Sequence, residues 1–67
     1  MTENDLRFAL AYNFGHEWDK LSAADQALIV RDCTEEDGVE DIQQYRRNIG
    51  RGHLASYAKV MQARFRT

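Results

Sequence analysis

Proline is absent from this 67-residue chain, and glycine occurs only four times, at Gly15, Gly38, Gly50 and Gly52. Proline breaks helix interiors, so its absence leaves long helical stretches uninterrupted. Alternating β-branched segments are also scarce, and the chain reads as all-helical. Cysteine appears once, as Cys33, which excludes an internal disulfide and any zinc-finger spacing. No apolar run approaches the roughly 18 residues of a transmembrane helix. The opening Thr2-Glu3-Asn4-Asp5 is acidic and lacks the basic-then-apolar pattern of a secretion signal. The expectation is a cytoplasmic protein with no membrane partner, and a single free thiol agrees with that compartment.

Acids are missing from the last part of the chain. All eleven carboxylates lie in residues 1–41, against Arg7, Lys20 and Arg31, a formal −8. Residues 42–67 carry Arg46, Arg47, Arg51, Lys59, Arg64 and Arg66, a formal +6. A net charge of −2 therefore hides an acidic body and a basic C-terminal third, and such polarity attracts partners from either side.

What is present is enough for one small domain spanning residues 1–67. Hydrophobic residues make up 43% and charged residues 30%, too apolar for a disordered tail. A domain this size buries only about 60% of the surface its unfolded chain exposes. Small scaffolds are usually stapled by disulfides, metal or oligomerisation. With no second cysteine and no metal motif, self-association as a homodimer is expected.

The periodicity predicts a compact bundle of three to four short helices. Thr2 followed by Asp5 has the form of a capping box. Leu6, Leu10, Phe14 and Trp18 then recur every four residues. Gly15 either ends this helix or sits inside it, with an end expected near residues 14–19. Ser22 with Asp25 three residues on marks the next start. The run Ala27-Leu28-Ile29-Val30 is apolar nearly all round, which predicts a central, buried helix. Asp37 with Glu40 marks a third start, ahead of Val39, Ile42, Tyr45 and Ile49, and Gly50 suits the residue just after. Gly50-Arg51-Gly52 reads as a turn. Leu54, Tyr57, Ala58, Met61 and Phe65 form one face of a last helix.

Phe8, Tyr12, Phe14 and Trp18 crowd one segment. On a helical wheel Phe8 and Tyr12 lie opposite Leu6, Leu10 and Phe14. A single helix cannot bury both sides against one neighbour. Either the helix is wedged between two layers, or Phe8 and Tyr12 face another chain, as aromatic residues in interface cores do. The candidate interface residues are Phe8, Tyr12 and Tyr45, with Glu36 and Asp37 of the acidic stretch. Asp32, Glu35, Glu36, Asp37, Glu40 and Asp41 fall within ten residues. They do not form an EF-hand, because Asp37 stands where the loop needs glycine and Gln43 where it needs glutamate. The cluster, with Glu36 and Asp37 at its centre, either steers a basic partner or complements helix dipoles.

The basic third has two readings as well. Arg46, Arg47, Arg51, Lys59 and Arg64 form a phosphate-binding surface for nucleic acid, or the bases flank the last helix and pair with the acids. A helix-turn-helix match over residues 42–57 is poor, since Arg46 falls where that motif wants a small side chain. No catalytic constellation, metal site or cofactor motif is expected. Cys33 sits late in the most apolar helix as a small hydrophobe, Ser22 is a cap, and His16 and His53 lack spaced partners.

The small size, the polarity and the lack of catalytic signatures resemble the accessory regulators carried by phages and other mobile elements. The resemblance implies a non-enzymatic regulatory or inhibitory protein that binds another protein. The alternatives are a nucleic-acid-binding transcriptional regulator and a subunit whose acidic and basic ends join head to tail.

Overall fold

Thr2 begins the first helix as the spacing predicts. In the computed structural model, which describes residues 2–35, 42–49 and 53–66, Thr2 Oγ1 accepts the Asp5 backbone N–H at 3.1 Å. The Thr2 N–H donates in return to Asp5 Oδ2 at 3.4 Å. Such a cap is worth about 1 kcal/mol. Helix α1 (Glu3–Phe14) follows and buries Leu6, Leu10 and Phe14.

Gly15 ends α1. It takes φ 58° and ψ −127°, a combination open to glycine and costly for any residue with a Cβ. Its N–H still reaches the Ala11 carbonyl at 2.8 Å. The chain restarts at once as α2 (His16–Lys20), which buries Trp18. The four-residue stripe therefore continues from Phe14 to Trp18 across a break in the helix axis. This raises the expected three to four helices to five among the described residues.

Helix α3 (Ala23–Glu35) starts where Ser22 Oγ accepts the Asp25 N–H at 3.1 Å. It buries Ile29, Val30, Asp32 and Cys33. The apolar run predicted burial all round, yet Ala27 faces solvent and Leu28 is half-buried. Helix α3 packs chiefly along one neighbour, α5 (Leu54–Arg64), with a smaller contact to α1. Its far side is left wet, and alanine is cheap to expose.

Helix α4 (Ile42–Ile49) packs on α1 with Ile42 buried and Tyr45 and Ile49 against the core. The expected capping of this helix by Asp37 and Glu40, its end at Gly50, and the Gly50–Gly52 turn lie outside the described residues. Helix α5 (Leu54–Arg64) presents the predicted face: Leu54, Ala58 and Met61 are buried, and Tyr57 and Phe65 pack alongside. Its first N–H, from Leu54, donates to Glu17 Oε1 at 3.2 Å. A carboxylate from α2 thus caps α5, where the dipole favours negative charge.

One apolar cluster joins all five helices, from Leu6 to Met61. The radius of gyration is 10.8 Å, against about 11 Å for a compact domain of this length. There is no strand among the described residues, and no helix among them is long and apolar enough to cross a membrane.

Candidate interaction surface

Burying Leu6, Leu10 and Phe14 turns the opposite side of α1 outward. Phe8 and Tyr12 lie on that side, one turn apart, and are 74% and 81% exposed. No second layer among the described residues covers this side of α1, so the wedged arrangement is not the one formed. Residues four apart on a helix are neighbours, so the two rings form one patch. Asn4, Asp5 and Gly15 complete the outward strip by helical spacing, and half-buried Ala11 packs against the core at its edge. The helix beneath is tied down by its own side chains. Arg7 Nε donates to Glu3 Oε2 at 3.3 Å on its flank, and Asn13 Nδ2 donates to the Ala9 carbonyl at 2.8 Å.

Tyr45 has a different place from Phe8 and Tyr12. Its ring meets Phe14 edge-on with centroids 6.4 Å apart, and Tyr57 edge-on at 5.9 Å. Its hydroxyl donates to Asp32 Oδ2 at 2.8 Å. The Tyr57 hydroxyl donates to the same oxygen, also at 2.8 Å, and Arg64 Nη1 donates to Oδ1 at 2.6 Å. Asp32 is fully buried. It gathers α4 and α5 onto α3, and every buried side-chain nitrogen or oxygen among the described residues has a partner.

The chemistry of this centre follows from burial. Desolvation pushes the Cys33 thiol up to about 11, with a smaller contribution from the negative charge of Asp32. A protonated, buried thiol is a poor nucleophile and a poor metal ligand. Burial also raises the Tyr45 phenol far above its ordinary range, with Cys33 and Asp32 adding to the effect. Tyr57 is pushed up to about 12 by burial first and the Asp32 contact second. Both phenols stay neutral donors at physiological pH.

The basic residues separate in space. Arg64 belongs to the Asp32 centre, and its guanidinium lies 5.1 Å from the Phe65 ring centroid, with that of Arg31 at 4.2 Å. His53 lies 3.6 Å from Glu17 Oε1. Thus one flank of α5 meets acids of the body, as the pairing alternative holds for those two residues. Arg46, Arg47 and Lys59 are exposed on α4 and α5. Arg51, Glu36 and Asp37 lie outside the described residues.

The charge pattern did not single out Asp32 as a buried centre. It set Asp32 among six clustered acids and left Arg64 open between a phosphate-binding face and pairing with the acids, without naming Asp32 as its partner. One signal was available: Asp32 stands beside Cys33 on the apolar side of α3, about one turn after Ile29. Comparison with known proteins adds no relative, since no family model, no curated protein and no solved structure matches this chain.

Proposed function

We propose that this chain is a small non-enzymatic regulatory or inhibitory protein that acts by binding another protein through the outward face of α1. The exposed Phe8–Tyr12 pair carries this reading. These are two of only three large hydrophobic side chains left exposed among the described residues, with Val60 the third. Aromatic side chains anchor interface cores because they remove much apolar area from water at little cost in rotamer freedom. The engagement of the buried polar groups with one another supports a binding role over a catalytic one.

Nucleic-acid binding is the second reading, supported by exposed Arg46, Arg47 and Lys59. The commitment of Arg64 to Asp32 removes one of its residues.

The test is an affinity capture from host lysate with the wild-type chain and with Phe8→Glu/Tyr12→Glu, each with and without nuclease. A protein that survives nuclease and disappears with the double variant supports the reading. Capture that depends on nucleic acid and is unchanged by the double variant overturns it.

A further inference from the structure

We propose that α4 is a strap over the Asp32–Cys33 centre, one that lifts as a unit while α1, α2, α3 and α5 stay folded. None of the outward residues of α1 takes part, so the strap stands apart from the reading of that face.

The packing separates α4 from the other helices. Helix α1 packs on α2, α2 on α5, α5 on α3, and α3 back on α1, so four helices close a ring. Polar bonds staple the ring. Gln26 Nε2 donates to the Trp18 carbonyl at 2.9 Å, and Gln62 Nε2 donates to Asp25 Oδ1 at 2.7 Å. Glu17 caps α5, and Arg64 reaches Asp32. Helix α4 stands outside the ring, packed closely on α1 and only lightly elsewhere. It buries one of its eight residues, Ile42, while Gln43, Gln44, Arg46, Arg47 and Asn48 face solvent. Segments with so little buried apolar surface are the first parts of a fold to open. A helix this short also has little stability of its own, so it unravels once lifted.

The polar centre tolerates the loss of α4. Asp32 Oδ2 accepts from both Tyr45 and Tyr57, and Oδ1 accepts from Arg64. Tyr57 and Arg64 belong to α5. When Tyr45 leaves, each carboxylate oxygen keeps a donor, and the Tyr45 hydroxyl passes to water. Opening therefore strands no buried charge, which is the step that makes the breaking of such centres costly.

Lifting Tyr45 uncovers its neighbours. Its ring lies edge-on to Phe14 and Tyr57. It is also near enough to the Cys33 side chain to affect the thiol's titration. Cys33 has no exposure in the closed form, so a thiol reagent reports the opening.

The experiment follows Cys33 of the full chain with a chromogenic disulfide reagent at neutral pH, in urea below the unfolding transition. Backbone hydrogen exchange runs in parallel. Cys33 labelling and the helical amides of Arg46 to Ile49 should share one urea dependence, shallower than that of global unfolding. Amides within α3 and α5 should follow the global slope.

Two variants separate the strap from the whole, with circular dichroism to check that each is folded. Tyr45→Phe loosens the strap and should speed labelling roughly fivefold, the effect of one net hydrogen bond. Tyr57→Phe removes the donor that stays behind, so lifting α4 then leaves Oδ2 bare. It should leave labelling unchanged or slower, although it lowers global stability.

Labelling that follows the global urea slope overturns the strap, because Cys33 is then reached only through complete unfolding. Tyr57→Phe that speeds labelling as much as Tyr45→Phe overturns it too. Amides of α4 that hold to the global slope do the same.

Discussion

Arg64 Nη1 lies 2.6 Å from Oδ1 of Asp32, a carboxylate with no exposure to solvent. The pair joins the end of α5 to α3 across 32 positions of sequence. The arginine remains partly exposed while its partner is fully buried, so the contact closes the polar centre at the surface. The two tyrosine hydroxyls satisfy the other carboxylate oxygen from within. A buried charge of this kind gives little net stability relative to an apolar replacement, but removing one member strands the rest.

Asp32→Ala should therefore be among the most damaging single substitutions. It leaves the Tyr45 and Tyr57 hydroxyls and the Arg64 guanidinium without their acceptor. The expected loss is about 3–5 kcal/mol, against a total stability of roughly 3–10 kcal/mol for a domain of this length. Tyr57→Phe, which removes one donor and leaves the carboxylate paired, should cost about 1 kcal/mol. Urea midpoints compare the two, and an Asp32→Ala midpoint no lower than that of Tyr57→Phe would contradict the assigned role.

Gly15→Ala tests the break between α1 and α2. The added Cβ meets open space, so any cost comes from the backbone alone at φ 58° and ψ −127°. About 1–3 kcal/mol is expected. A neutral or stabilising result in thermal melts would show that the two helices merge readily into one.

Alkaline pH should destabilise the fold. Cys33, Tyr45 and Tyr57 are acids whose folded values lie above their unfolded ones. The unfolded chain therefore releases these protons first. Their contribution is intact below the ordinary thiol and phenol values and is lost as pH climbs toward the folded ones. From ordinary values of 9.0 for the thiol and 10.0 for the phenols, the decline should begin near pH 9 and steepen above pH 10. Each group contributes at most about 1.4 kcal/mol per pH unit. Cys33→Ala should delay the onset toward pH 10. Unfolding free energies that stay flat from pH 8 to 11 would rule out this coupling.

Glu17→Gln probes the cap that α2 provides to α5. The amide can still accept the Leu54 N–H but carries no charge for the helix dipole, so the loss should be about 0.3–1 kcal/mol. Glu17→Ala removes the acceptor as well and should cost about 1 kcal/mol. Hydrogen exchange should quicken at the start of α5 and leave the interior of α3 unchanged. Equal exchange in the two variants and the wild type would mean that water serves the Leu54 N–H equally well.

The parts of the fold legible in sequence are those decided by near neighbours. Thr2 and Ser22 cap helices through bonds to residues three positions on. The stripes Leu6-Leu10-Phe14 and Leu54-Ala58-Met61 follow from a period of 3.6 residues, and each is buried. The pairing of Phe8 with Tyr12 opposite the core side of α1 follows from the same geometry. Composition and periodicity thus determined the helical class, the starts of α1 and α3, and the face of α1 that carries the aromatic pair.

Tertiary structure decided what depends on distant partners. The exposure of Phe8 and Tyr12 required that no second layer among the described residues cover that side of α1. Tyr45 and Arg64 were legible as an aromatic and a base, but their engagement depends on Asp32, 13 and 32 positions away. The same holds for Glu17, whose partner Leu54 is 37 positions distant. Whether a charged side chain is solvated or buried depends on the desolvation it undergoes and the donors that meet it. Both are set only when α3, α4 and α5 come together, and neither is written in the spacing of residues along any one helix.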